Sequence, residues 1–324
     1  MTPREILDAI RKLRVLVVGD VCLDRWCTYD PALADPSRET GIPRTAVVAT
    51  EVTPGAAGTI ANNLAALGTG HVDVMGIAGD DGFGYELERA LAARNISTRH
   101  LVRAERVPTF TYTKLINCRT GDEDLPRVDF VNTSPLPEAI ERELVARFEQ
   151  AAPEYDAILV SDQAETEQGG VITAAMRDAI QRARERNPRA VVWVDSRMRA
   201  EHFRRVIVKP NADEAEAASR RALGRVDFPA LRRRMEAPLL VVTHGGDGAE
   251  VVDESGARWV AARRVERPVD ICGAGDSFSA GAALALQVTG DPIASVEFGN
   301  RVASITIMKK GTGTASPEEV LAGW

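Results

Sequence analysis

The sequence predicts an α/β protein: a three-layer sandwich with a mostly parallel central sheet, helices on both faces and a small β-sheet lid. Three observations lead there. Short β-branched runs alternate with helical patterns along almost the whole chain, which is the rhythm of strand–helix–strand units. The strand candidates are apolar at nearly every position, so both of their faces are covered. Two stretches, 38–53 and 106–131, break the rhythm: they are β-prone, with Thr-Phe-Thr-Tyr-Thr at 109–113, and have no intervening helix. A separate small sheet beside a ligand crevice is a natural lid. No repeat, low-complexity tract or linker interrupts the 324 residues, and a single domain over 1–324 is expected.

Taken in order, the chain opens with Thr2, Pro3 and Glu5 ahead of Ile6, Leu7, Ile10 and Leu13, a capped amphipathic helix. Strands are expected at 15–18, 72–77, 157–161, 190–194, 206–208 and 239–243, with helices around 59–67, 85–94, 137–151, 170–186, 212–220 and 228–235. A β-prone piece at 249–261, centred on Ser255 and Gly256, reads as a hairpin. From Asp276 to Val288 the chain is apolar on nearly every side, the signature of a buried helix.

Composition bounds the partners. With 27% charged and 44% hydrophobic residues, the chain is an ordinary globular one. A net charge of −7 and a pI near 5.4 argue against nucleic acid or an anionic membrane as the main partner. Any phosphate must be held by local donors. No apolar run approaches the ~20 residues of a membrane span, and the N-terminus lacks a signal-peptide core. Cys22, Cys27, Cys118 and Cys272 match no zinc spacing, so a reduced, cytoplasmic protein is expected.

Ligands of open α/β sheets bind beyond the carboxyl ends of the strands. After the first strand come Gly19, Asp20 and Asp24, carboxylates that either grip substrate hydroxyls or are solvated turn acids. Pro54, Gly55 and Gly58 form a flexible turn into a helix carrying Thr59, Asn62 and Asn63. The second strand ends in a glycine-rich, acid-bearing loop from Gly76 to Gly84, whose spacing is not the dinucleotide fingerprint; a P-loop string is absent as well. Asn211 and Glu214 stand three apart after another strand. They share a face as a hard oxygen pair suited to Mg²⁺ held through water and phosphate, or Asn211 simply caps a helix. Thr243, Gly245 and Gly248 offer small donors to a nucleotide phosphate, with His244 an incidental loop residue.

The centre of this organisation is the stretch from Asp270 through Gly273, Ala274 and Gly275 to Asp276 and the buried helix. Small residues leave the first N–H groups of that helix uncovered at the positive end of its dipole, a place for a phosphate. Asp276 either caps the helix or takes a proton from whatever attacks that phosphate.

Four motifs in one order resemble the ribokinase (PfkB) family of carbohydrate kinases over essentially the whole chain. They are Gly76-x-x-Gly79-x-Asp81-x-x-Gly84, Asn211-x-x-Glu214, Thr243-x-Gly245-x-x-Gly248 and Asp270-x-x-Gly273-Ala274-Gly275-Asp276-x-Phe278. The resemblance implies the ribokinase-like fold and ATP- and Mg²⁺-dependent phosphorylation of a sugar hydroxyl. It makes Asp276 the base and Gly273, Ala274 and Gly275 the anion hole for the transferring phosphate. Asn211 and Glu214 organise Mg²⁺; Thr243, Gly245, Gly248 and Asn300 line the ATP site. Asp24, Gly55, Thr59, Asn63, Lys114, Arg127 and Asp129 fall to the sugar side. In some members a monovalent cation, K⁺, sits behind the hole, near Asp270. Lid strands in this family often pair between subunits, which implies a homodimer.

Within the family the strings around Val18–Arg25, Pro54–Gly68, Thr113-Lys114, Arg127–Asp129, Lys209–Asn211 and Gly311–Pro317 are similar to the kinase half of the enzymes that make ADP-heptose. That similarity implies D-glycero-D-manno-heptose 7-phosphate as acceptor, phosphorylated at O1, with any adenylyl transfer left to another protein because the chain ends after the kinase signature. Arg25, Lys114, Arg127 and Arg197 are the candidate phosphate holders. Three positions depart from the pattern: Ala56 where a second glycine is usual, Thr59 where a sugar-binding Asn is common, and Glu165 where the heptose kinases carry a lysine. A fructose- or ribose-type sugar, or a non-catalytic sugar- or nucleotide-binding role, is the alternative.

Overall fold

The structure, a computed structural model, describes residues 1–166 and 168–322. The chain starts with α1 (Pro3–Ile10), closed by the expected Thr2–Glu5 capping box, and β1 (Arg14–Gly19). Two lid strands follow, β2 (Val21–Tyr29) and β3 (Val47–Ala56), then α2 (Ala57–Ala66), β4 (His71–Gly79), α3 (Gly82–Ala92) and β5 (Ser97–Ala104). The lid resumes with β6 (Phe110–Asn117) and β7 (Val128–Phe130). The body continues as α4 (Glu138–Ala151), β8 (Ala157–Asp162), α5 (Ala174–Arg186), β9 (Val191–Ser196), β10 (Ile207–Val208), α6 (Ala212–Leu223), α7 (Phe228–Met235) and β11 (Leu240–Thr243). It ends with the hairpin β12 (Gly248–Asp253) and β13 (Gly256–Ala261), then α8 (Ala274–Thr289), α9 (Pro292–Thr306) and α10 (Pro317–Leu321).

Nine strands form the main sheet in the order β13-β12-β11-β10-β9-β8-β1-β4-β5. It is parallel from β11 to β5, and the hairpin adds two antiparallel strands at one edge. Both faces are covered because β1 is buried on both. Val15 and Val17 join the core under α1, α2, α8 and α9, while Leu16 and Val18 join the core under α4 to α7. Chain direction across the sheet reverses between β1 and β8, and a crevice opens beyond their carboxyl ends. At that switch point the strands nearly touch: a Cβ on Gly19 (φ 153°) would stand 2.0 Å from the Ser161 carbonyl oxygen.

The second sheet runs β3-β2-β6-β7 and stands over the crevice as the expected lid. Its composition corrects the sequence expectation. The central strand is β2, which is not among the expected strands: the acids after Gly19 read in the sequence as hydroxyl-gripping groups or as a turn. Residues 38–46 contain only an isolated bridge, and β3 extends past 53 to Ala56. β5, α9 and α10 were also not anticipated, and α5 begins at Ala174 with Thr173 as its cap, not at 170. Asp20 instead holds Gln163, Ala164 and Val171, its carboxylate accepting the N–H group of each at 2.8 Å. The Gly76–Gly84 motif is architectural. Asp81 caps α3 through Gly84 N–H at 2.7 Å and receives the N–H and hydroxyl of Thr109, each at 2.9 Å, where the lid resumes. Among the described residues, no helix is long and apolar enough to cross a membrane.

Candidate active site

The buried helix is α8, and its entry is built from Gly273, a left-handed cap with φ 76°. That turn folds Ala274 N–H back onto the Ile271 carbonyl at 3.2 Å, and Ser277 N–H bonds Gly273 at 2.9 Å. Gly275 and Asp276 N–H have no partner among the described residues and point out of the first turn. The open donors are therefore shifted from the expected set: Ala274 N–H is engaged, and that of Asp276 is free. Such a pair at a helix N-terminus is suited to an anion.

Asp276 shares one cavity of about 130 Å³ with Asp24, Lys114, Arg127 and Arg197. Enclosure pushes its carboxyl up to about 7, the Asp195 charge adds to this, and Lys209 and Arg197 oppose it. Asp24, on lid strand β2, is pushed up to about 6 by burial, against the pull of the Cys22 thiol at 3.6 Å and of Lys114 and Arg127. Gly55 makes room for this carboxylate: a Cβ there would lie 2.4 Å from Asp24 Oδ1. Strand alternation decides which lid cations face the crevice. Asp24 pairs with Tyr112, and Trp26 with Lys114, so these four share its face. Arg25 also borders the cavity, but its guanidinium lies 4.6 Å from the Phe83 ring centroid and its Nε is buried without a partner among the described residues. The remaining cations are all engaged: Lys114 with Glu123 at 3.6 Å, Arg127 with Asp129 at 2.8 Å, and Arg197 with Gln163 at 2.7 Å and with Glu165.

Other sugar-side expectations divide. Thr59 lines the cavity, but its hydroxyl donates to the Pro54 carbonyl at 3.3 Å. Asn63 is fully buried and donates to the Thr59 carbonyl at 3.0 Å, so it packs inside the body and does not reach the crevice. Asp129 does not line the cavity; it holds Arg127 and accepts Thr113 N–H at 3.2 Å.

On the nucleotide side, Asn211 and Glu214 form a reciprocal capping box on α6. Asn211 accepts Glu214 N–H at 2.9 Å, and Glu214 accepts Asn211 N–H at 2.8 Å. Burial raises the Glu214 pKa, with the Asp195 charge a second cause. Thr243 ends β11, with Gly245 (φ 57°) after it. Gly248 (φ 127°) admits no side chain, since a Cβ would lie 2.2 Å from the Val260 carbonyl oxygen. Asn300, on α9, has a buried Nδ2 without a partner. Asp270 accepts Cys272 N–H at 2.9 Å and Gly311 N–H at 3.1 Å, tying the turn before α8 to the loop at 311. No cluster of three metal-ligating side chains exists among the described residues.

This geometry can be set against known proteins. Residues 12–319 match the model of the pfkB family carbohydrate kinases. The chain belongs to that family. Its curated relatives include the bifunctional protein HldE of Hyphomonas neptunium, 32% identical over 325 residues, covering 98% of this chain and 64% of that protein. HldE of Rhodopseudomonas palustris is 30% identical over 321 residues, covering 97% and 64%. The chain thus spans just under two thirds of the length of these relatives. Two solved structures share the fold: ribokinase of Thermotoga maritima (TM-score 0.71, 19% identity, 96% and 98% covered) and phosphofructokinase-2 of Escherichia coli in complex with potassium (TM-score 0.73, 21%, 96% and 97%).

Membership of the pfkB family carbohydrate kinases implies use of ATP and a metal. The residues present fit a nucleotide phosphate: two open N–H groups, and Lys209 close behind them. Lys209 is almost wholly buried, its Nζ is 2.6 Å from Asp195, and a Cβ on Gly275 would lie 3.3 Å from it. Lys209 and Asp195 are absent from the residues singled out by motif. The signal was their position at strand ends, Asp195 closing β9 and Lys209 following β10. Thr312 was missed because it belongs to a glycine-flanked string without an ionisable group.

Proposed function

We propose that this kinase phosphorylates a sugar that already carries an anionic group, with D-glycero-D-manno-heptose 7-phosphate, converted to the 1,7-bisphosphate, as the leading acceptor. The observation that carries the reading is the shared cavity, in which Asp276 and the Gly273 cap of α8 lie with Asp24 and the cations Lys114 and Arg127. Asp24 would accept sugar hydroxyls. Asp276 takes the proton of the attacking hydroxyl, whose oxygen bonds to the γ-phosphorus as the bond to the β–γ bridging oxygen breaks and ADP leaves. Gly275 and Asp276 N–H, beside Gly273, hold the transferring phosphoryl oxygens without reorganising. A magnesium ion would neutralise phosphate charge, with Asn211 and Glu214 holding it through water. Thr243, Gly245, Gly248 and Asn300 are assigned to the nucleotide. K⁺ is assigned to Asp270, whose oxygens already order the two loops behind the hole.

Two features favour a second acceptor, a fructose- or ribose-type sugar: Glu165 occupies Arg197, and the Thr59 hydroxyl is engaged by backbone. The lid also supports a homodimer, because β3 is a free sheet edge with Val47 and Val48 exposed. A solution mass corresponding to a monomer would remove that assignment. The deciding experiment is ADP release with Mg·ATP against heptose 7-phosphate, fructose, fructose 6-phosphate, ribose and nucleosides, with and without K⁺, alongside Asp276→Asn. Turnover on heptose 7-phosphate that is lost in the variant supports the reading. Turnover confined to another sugar keeps the base and replaces the acceptor.

A further inference from the structure

The cap from which α8 springs is held from outside. A Cβ built on Gly273 would stand 3.1 Å from Cγ2 of Thr59 and 3.3 Å from Cγ2 of Thr312, so two threonine methyls from separate parts of the chain border the space beside this glycine. Both threonines are tied to lid strand β3. Thr59 donates its hydroxyl to the carbonyl of Pro54, within β3, at 3.3 Å; the Thr312 hydroxyl lies 3.4 Å from that of Thr53, also on β3. Beside Thr312, Gly311 meets the ring of Trp26 from β2, where a Cβ would lie 3.3 Å from Cζ2. Gly311 N–H in turn bonds Asp270, whose other oxygen accepts Cys272 N–H immediately before the cap. Lid, loop 311–312 and cap are therefore one contiguous set of contacts.

We propose that Thr312 is a positioning residue that couples the lid to the phosphate-holding turn. Its methyl wedges Gly273 into the left-handed conformation that exposes the N–H groups of Gly275 and Asp276. Its hydroxyl registers the docking of β3, so the turn is set when the lid is down over an acceptor. The coupling has a physical basis in close packing: a methyl beside the space that a side chain on Gly273 would take leaves the turn little room to change without the methyl moving too. It rests on the reading of that turn as the phosphate hole.

The two functions of one side chain separate by substitution. Thr312→Ser keeps the hydroxyl and removes the methyl; kcat should fall by about tenfold or more, with acceptor KM within about threefold of wild type. Thr312→Val keeps the methyl and removes the hydroxyl; kcat should stay within about threefold while acceptor KM rises by about tenfold. Thr53→Val should reproduce the valine phenotype. Slow hydrolysis of ATP by water needs the hole but no sugar, so it should fall in Thr312→Ser and persist in Thr312→Val whichever sugar is the acceptor. A wrong acceptor therefore leaves this contrast intact, whereas a wrong wedge abolishes it. Equal kinetics for serine and valine variants, or a parallel loss of kcat and KM in both, would overturn the proposal. Melting temperatures of both variants close to wild type would separate these effects from a general loss of fold.

Discussion

A carboxyl pushed up to about 7 is half protonated at neutral pH, and a base works only when ionised. For Asp276 this predicts that log kcat/KM rises with unit slope up to about pH 7 and is flat above it, a profile measurable with saturating Mg·ATP. Asp276→Asn should lower kcat by about 10²–10⁴-fold, or roughly 3–5 kcal/mol of barrier. The second residue-scale prediction concerns Ala56, held at φ 52° and ψ −117°, a region that glycine enters freely and alanine does not. Such strain costs about 1–3 kcal/mol, against about 0.5–1 kcal/mol of backbone entropy for a glycine. Ala56→Gly should therefore raise unfolding free energy by about 1 kcal/mol in urea titrations, and an unchanged or lowered midpoint would refute it.

At the scale of elements, the lid strand β2 presents its acid to the crevice beside Gly55, the β3 residue that pairs with Cys22 and has no side chain to crowd Asp24. Gly55→Ala would drive a Cβ to 2.4 Å from Asp24 Oδ1 and 2.5 Å from Cys22 Sγ. The acid must move, and acceptor KM should rise by about tenfold or more while the KM for ATP holds; a larger effect on ATP would contradict the placement of Asp24. The lid also shows where sequence reasoning stops. Body strands were legible because burial on both faces makes them continuously apolar, as in 15–18. The lid has one face on the crevice, so β2 alternates Leu23, Asp24, Arg25 and Trp26 and looks like a loop. Capping was equally legible: Thr2 with Glu5 and Asn211 with Glu214 form the boxes their spacing announces. What spacing could not supply was direction, and direction lays the Arg25 guanidinium by Phe83, buries Asn63 and turns the Ala274 N–H onto the Ile271 carbonyl.

Across the whole molecule, charge placement favours function over stability at neutral pH. Asp20, Asp24 and Asp276 all have folded pKa values raised above 3.8, to about 6, 6 and 7, chiefly by burial. Each therefore contributes stability that is fully present below the unfolded pKa and is lost as pH rises through its folded value. His100, lowered mainly by burial, acts in the opposite sense over the same window, while Asp73 and Asp81, already lowered, stay ionised throughout it. Glu214, also raised by burial, adds to the three, and four groups against one predict a higher melting temperature at pH 5.5 than at pH 8; Asp276→Asn should raise the value at pH 8 more than at pH 5.5. A melting temperature that climbs from pH 5.5 to 8 would refute this balance.

The clamp at Asp20 bears on how the chain reaches this state. It joins residues 143, 144 and 151 positions apart, so more than a hundred residues must be synthesised before the rim of the crevice can close. Contacts of such separation carry a large loop-closure cost and form after local ones. The nascent chain should pass through a stage in which β1, β4 and α2 are assembled while the backbone at Gln163, Ala164 and Val171 is still open to proteases. Competence to bind ligand would then be among the last properties the chain acquires.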